Sequence, residues 1–313
     1  MYALLSDGWE DVHVQVDGKE IVINGKFSRI AKLNAEYYES VNDPQDFVSN
    51  LVAAGPLADI FTFVQEIGVR TPRYDFHLEW DSIAVLPITT YDNWWHRQIN
   101  DKTRNMVRRA QKCGVHVRLV EFGQDLVRGI KGIYDESPLR QGKPFKHYGK
   151  DLETLWKAHL SFLDRSQFIG AYYEGELIGF IKLVHDDKVS HLMHIISKTE
   201  HRQKAPTNTL IAKAVELCAL RGNSYLHYAD WSRRGLGDFK KHHAFEQLDV
   251  PRYYVPLNWR GKIILCLNLH HKISDLLPQN CIDFLVAFRS RWNAVKFPSL
   301  SQVSQPKITP KNQ

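Results

Sequence analysis

The stretch Ala205–Lys241, APTNTLIAKAVELCALRGNSYLHYADWSRRGLGDFKK, decides how the rest of the chain is read. Leu210, Ala214, Leu217 and Cys218 recur at helical spacing behind a proline, and Arg221-Gly222 supplies the last-turn cation and the glycine that end a helix. Tyr225, Leu226, His227, Tyr228 and Ala229 then favour a strand, and a glycine-bearing turn delivers Phe239-Lys240-Lys241. Open α/β sheets bind ligands beyond the carboxyl ends of their strands, so this order sets cationic side chains beside a site.

Upstream, three strand-like runs, Phe168–Tyr173, Leu177–His185 and Val189–Ser197, are joined by short polar turns and read as an antiparallel meander. Before them come an alternating strand in Val115–Phe122, a helix in Gln124–Asp135, a loop with prolines and lysines in Ser137–Tyr148, and a helix in Asp151–Asp164. The segment Asp92–Cys113 reads as one helix with Asp92 as cap and Gly114 as stop. Trp95, Ile99, Met106, Ala110 and Cys113 form its apolar stripe, and Arg97, Arg104, Arg108 and Lys112 a cationic one. That second stripe fits either a solvated face or a ridge that meets a polyanion.

Residues 1–90 show a hairpin around Asp17-Gly18, helical segments near Pro44–Ala54 and Ala58–Glu66, and a strand in His77–Pro87. No catalytic motif stands out there. Beyond the decisive stretch, Gly261–Phe297 reads as two apolar-periodic helices that fit either a packing hairpin or a membrane-surface element, with packing the first choice, followed by a mobile polar tail.

A hydrophobic content of 43% over 313 residues supports a buried core. The N-terminus has no charged region leading into an apolar one, and no stretch approaches the ~20 apolar residues of a membrane span, so a cytoplasmic protein is expected. Cys113, Cys218, Cys266 and Cys281 are scattered, which suggests neither a disulfide framework nor a zinc site. The 15 histidines show no metal-binding spacing and no nucleophile elbow is present, so neither a metal nor a bound cofactor is expected. The net charge of +6 favours an anionic partner without choosing among nucleotide, CoA, tRNA and lipid surface.

The run T-N-T-L-I-x-K-A-V, then R-G, a strand, and G-L-x-x-F-K-K-x-x-x-F resembles the FemAB-type branch of the GNAT-like acyltransferases. The likeness extends through Phe168–Gly179 (FIGAYYEGELIG) and Lys102–Gly114 (KTRNMVRRAQKCG), about residues 90–257 in all. The resemblance implies an α/β fold of two GNAT-like units with mixed, mostly antiparallel sheets flanked by helices, plus C-terminal helices. The division expected is 1–112, 113–300 with the catalytic site, and a tail 301–313.

It also implies transfer of an acyl or aminoacyl group, from aminoacyl-tRNA or an acyl thioester, to an amine on a small molecule or an envelope precursor. A peripheral membrane contact fits this reading, and no DNA is expected. Lys240 falls where the GNAT pattern has a tyrosine acid, and is the first choice to stabilise an oxyanion, with Lys241 second. Asp230, His242 and His243 are the candidate groups to orient or deprotonate the amine. Tyr228 and Phe239 would line the substrate, and Arg104, Arg108, Arg202 and Lys204 would meet a polyanion. Arg202–Thr207 replaces the glycine-rich pyrophosphate turn of GNAT enzymes with Ala205 and Pro206, which puts ordinary acetyl-CoA binding in question. Two other readings stay open: an acyl-CoA-dependent N-acetyltransferase acting on a small amine or amino sugar, and a non-catalytic adaptor that binds RNA or membrane.

Overall fold

A computed structural model describes residues 11–55, 58–140, 142–232 and 234–271. Residues 9–133 and 151–270 form one compact body, and Tyr134–Lys150 belongs to a second grouping. In chain order the first half holds β1 (Val12–Val16), β2 (Lys19–Asn24), β3 (Ile30–Leu33), α1 (Pro44–Ala53), β4 (Ile60–Val64) and β5 (His77–Pro87). Two helical segments follow, α2 (Tyr91–Asn93), which runs into a π-helical turn at Trp94–Gln98, and α3 (Asp101–Lys112). Next come β6 (His116–Val120), α4 (Gln124–Tyr134), the short ribbon β7 (Leu139–Arg140) and β8 (Lys143–Pro144), and α5 (Leu152–Leu160). The last part comprises β9 (Ser166–Tyr173), β10 (Glu176–His185), β11 (Val189–Ser197), α6 (Pro206–Arg221), β12 (Tyr225–Asp230), α7 (Arg234–His242), β13 (Glu246–Pro256) and α8 (Trp259–Cys266).

One eleven-stranded mixed sheet runs in the order β1-β2-β3-β4-β13-β5-β12-β11-β10-β9-β6. Read inward from β1 and from β9 it repeats itself, with β6 added antiparallel outside β9. β1, β2 and β3 form an antiparallel meander, and β3 then pairs parallel to β4 across α1. β9, β10 and β11 do the same, with β11 parallel to β12 across α6. Each half is completed by a strand from the other: β13 lies beside β4, and β5 lies between β13 and β12. The two GNAT-like units are thus joined through exchanged central strands into one sheet.

Each unit buries its own apolar layer. Ile21, Leu33, Leu51, Phe61 and Tyr253 pack in the first. In the second, α6 lies between the sheet and α3, so Leu210, Ile211, Ala214, Val215 and Cys218 are buried together with Val107, Ala110, Ile181 and Leu226. This is why α6 is apolar around most of its circumference rather than along one stripe.

Three expectations are corrected. Asp92–Cys113 is not one helix: Ile99 is extended, Asn100 caps α3 by accepting from Thr103 N, and Thr90 rather than Asp92 caps α2. The buried face of α3 is accordingly Thr103, Val107 and Ala110. Ala58–Glu66 contains the strand β4, because Ile60, Phe61, Thr62, Phe63 and Val64 are the residue types a two-sided buried strand selects. Ser137–Tyr148 is not wholly loop, since β7 and β8 pair within it. Of the expected C-terminal helix pair, only α8 falls within the described residues; the second helix and the tail lie outside them. Among the described residues, no helix is long and apolar enough to cross a membrane.

Candidate active site

The second unit opens where two parallel strands part. β11 and β12 pair at Val189↔Tyr225, Ser190↔Leu226 and His191↔His227. Beyond that point β11 continues to Ser197 and β12 to Asp230 without a shared ladder. Both strands are irregular just past the parting. The register of β10 against β11 shifts between Lys182 and Leu183, so Met193 is an extra residue. The register of β12 against β5 shifts between His227 and Asp230, where Ala229 takes φ 49°. Bulges bend strands and leave ladder groups unpaired, and the parting of the two strands is the candidate cleft.

Lys240 closes the far end of β12. Its side chain is 1% exposed, and its Nζ donates to Tyr228 O at 2.8 Å, Asp230 O at 2.6 Å and Ser232 Oγ at 3.1 Å. The ammonium also lies 4.5 Å from the centre of the Tyr228 ring. All three of its protons are therefore engaged, and two of them hold carbonyls on either side of the bulge. Burial draws its pKa down to about 8, against the favourable charge of Asp230.

The other nominated residues separate into two sets. Tyr228 and Phe239 pack against the core around Lys240, and burial pushes the Tyr228 phenol up to about 12. Asp230 is exposed and its Oδ1 accepts from Tyr37 Oη at 2.9 Å. Lys241 is exposed, 5.8 Å from the Trp231 ring. His242 is exposed, whereas His243 is buried: its Nδ1 meets Phe239 O at 2.8 Å, and Asn208 on the first turn of α6 reaches its Nε2 at 3.2 Å.

The basic residues are dispersed. Arg104 is spent on structure, with Nη1 donating to Trp95 O and Ile99 O at 2.7 Å each and Nη2 to Asp101. It fastens the break between the π-turn and α3. Arg108 remains exposed, 5.6 Å from the Trp95 ring. α3 and the π-turn nonetheless touch the site, because Thr103 Oγ1 donates to His242 O at 2.9 Å and Trp94 Nε1 to His243 O at 3.1 Å. Arg202 is exposed, and Lys204 sits 4.3 Å from the Tyr173 ring. Ala205 adopts φ 55°, the left-handed conformation a glycine would take freely, and Pro206 is the first residue of α6. A proline there removes only an amide that the helix leaves unbonded, so it does not by itself spoil an anion site.

Sequence reasoning missed the layer behind the cleft. His191 Nδ1 and His227 Nδ1 lie 3.0 Å apart, so only one of the two carries a proton. Burial holds His191 at about 4, and burial followed by the charges of His191 and Lys240 holds His227 well below the usual range. Tyr37 and Tyr38 pack their rings on this pair. Beside them Arg252 donates to Glu36 at 2.5 Å and to Asp81 at 2.7 Å. No signal in the sequence marks these groups as neighbours, since the loop that carries Glu36 and Tyr37 reaches them only through the exchanged strands. A separate groove of about 310 Å³ between α3 and α6, lined by residues such as Val107, Gln111, Thr209 and Lys213, contains none of the nominated residues.

The topology and this cleft define the fold of the GNAT-like acyltransferases. A model of the acetyltransferase (GNAT) family matches residues 130–245. Among solved structures, the chain is similar to FemX, at 10% identity and a TM-score of 0.54 over 83% of this chain and 90% of that one. It is also similar to L-PGS from Bacillus licheniformis, at 13% identity and a TM-score of 0.51 over 83% and 87%. A conserved protein from Bacteroides thetaiotaomicron, of unknown function, gives 9% identity and a TM-score of 0.52 over 79% and 85%. A search of the curated proteins gave no match.

Proposed function

We propose that this protein is an acyltransferase that moves an acyl or aminoacyl group from an activated ester or thioester to an amine. The observation that carries the reading is the parting of β11 and β12 at paired bulges, with the ammonium of Lys240 fixed at the end of β12. The amine nitrogen attacks the donor carbonyl carbon, a tetrahedral intermediate forms, and the carbon–oxygen or carbon–sulfur bond to the carrier breaks. The amine gives up a proton and the departing carrier receives one. Lys240 stabilises the oxyanion by exchanging its longest bond, to Ser232 Oγ, for the substrate oxygen; Lys241 is the second choice. Asp230, held by Tyr37, orients the amine, and the exposed His242 stands within chain reach to take its proton.

The catalytic unit in this proposal is residues 113–300, completed by β5 from residues 1–112. The donor is an aminoacyl-tRNA, with acyl-CoA as the alternative that the family match favours. Arg108, Arg202 and Lys204 meet its phosphates, and Arg104 supports them by fixing α3. FemX and L-PGS among the similar structures support an acceptor in the cell envelope, approached from the cytoplasm at the membrane surface.

The test is an amine panel offered with both aminoacyl-tRNA and acyl-CoA, read by mass spectrometry. Transfer that disappears in Lys240→Met supports the reading. Binding of RNA or anionic vesicles with no transfer from either donor would replace it with the adaptor.

A further inference from the structure

A second cluster lies on the first unit, away from the cleft. His77 and Glu79 stand two residues apart on β5 and therefore on the same face of the sheet. His270 is brought to them by the end of α8. Asn268 takes φ 53° and its N–H bonds to Leu265 O, while Leu269 N bonds to Ile264 O, which turns the chain back over the sheet. The imidazole of His270 is fully covered, Glu79 is a quarter exposed and His77 is 39% exposed. The Tyr254 ring packs 4.7 Å from His270 and 6.0 Å from His77, and the two imidazoles stand 5.5 Å apart, nearly perpendicular.

We propose that His77, Glu79 and His270 form a binding site for a divalent transition-metal ion of the zinc class, which fastens the chain after α8 to β5. One donor atom from each residue lies within 4.8 Å of the other two. His77 Nε2 is 3.4 Å from Glu79 Oε1. That is long for a hydrogen bond, and it matches the roughly 3.3–3.5 Å edge of a tetrahedron whose zinc–ligand bonds are about 2.0–2.2 Å. His270 Nε2 lies 2.6 Å from the same oxygen, and a small rotation of the carboxylate opens this to the same edge length. Two imidazole nitrogens and one carboxylate oxygen select zinc, cobalt or nickel over calcium and magnesium, which prefer all-oxygen sites. The exposed side of His77 leaves room for water as the fourth ligand.

A cluster elsewhere shows the contrast. Glu176, Glu200 and His201 also converge, but the ammonium of Lys198 already lies between the two carboxylates. There the cation is built into the chain.

The experiment uses the tag-free full chain, stripped with chelator and titrated with Co²⁺. One equivalent should bind with a visible absorption band of low-symmetry four- or five-coordinate cobalt, displaced by Zn²⁺, and Zn²⁺ should raise the melting temperature. His77→Ala, chosen because His77 is partly exposed and its loss leaves the fold intact, should lose the band and the thermal shift. Glu79→Gln should weaken binding at least tenfold. A titration without the band, or a band and shift that persist in both variants, would overturn the proposal and assign any bound ion to other histidines. Neither outcome depends on transferase activity.

Discussion

At the scale of the residue, Lys240 is both the side chain the sequence nominated and the one whose surroundings it could not show. The pair Phe239-Lys240 was legible because a lysine follows a glycine-bearing turn after a strand. That its three protons are held by Tyr228 O, Asp230 O and Ser232 Oγ was not, because two of those acceptors are backbone groups with no residue signature. Lys240→Met should lower the rate of transfer by about 100-fold or more, the loss expected for one well-placed donor. It should also reduce stability by about 1–2 kcal/mol, since two carbonyls lose a partner while a buried charge is removed. Denaturant melts alongside rate assays separate the two effects. The pH dependence gives a second check. Lys240 titrates near 8 in the fold and near 10.5 when unfolded. Between those values the unfolded chain holds more protons, so stability rises with pH while the charged, active form disappears. Transfer should therefore fall through pH 8 as the urea midpoint climbs, and Lys240→Met should lose part of the climb, the rest belonging to Lys182, which burial also draws down to about 8.

At the scale of the element, the helices and strands of the second half were readable from periodicity, and the errors lie where local rules compete. Asp92–Cys113 looked continuous because a π-turn keeps a helical rhythm through Gln98, and only the extended backbone at Ile99 and the Asn100 cap break it. α7 shows how close packing fixes a functional turn. A Cβ on Gly237 would lie 2.1 Å from Ser232 O, whereas one on Gly235 would meet nothing within 4 Å. Gly237→Ala should displace Ser232 from Lys240, reduce stability by about 1–3 kcal/mol and slow transfer. Gly235→Ala, on the exposed side of the same helix, should be neutral or stabilising by up to about 1 kcal/mol. Comparing the two by thermal melts and initial rates tests whether α7 acts by holding the end of β12. Equal behaviour of the two variants would remove that link.

At the scale of the whole molecule, the exchange of β5 and β13 is the feature that sequence reading could not reach, because each strand looks like an ordinary member of its own half. The exchange carries the first unit's Tyr37 onto Asp230, and it sets His77 and Glu79 opposite the end of α8. Several histidines around the central strands are buried. His185, His191 and His243 are held at about 4 mainly by burial, and burial holds His227 well below its ordinary value. Their unfolded pKa is 6.5, so below that value the unfolded chain binds protons that the fold refuses, and stability falls as pH falls. At pH 5.5 each such histidine contributes a loss of about 1 kcal/mol, and about 4 kcal/mol for the four is a large fraction of a domain's stability of about 5–15 kcal/mol. The urea midpoint should therefore drop steeply between pH 7 and pH 5.5, before most carboxylates titrate. Calorimetric unfolding at pH 5.5 in buffers of different ionisation enthalpy should show uptake of several protons. A flat midpoint over this range, or no proton uptake, would mean that the histidine layer behind the cleft opens to water in solution, and that the packing of Tyr37 and Tyr38 on His227 and His191 is not maintained.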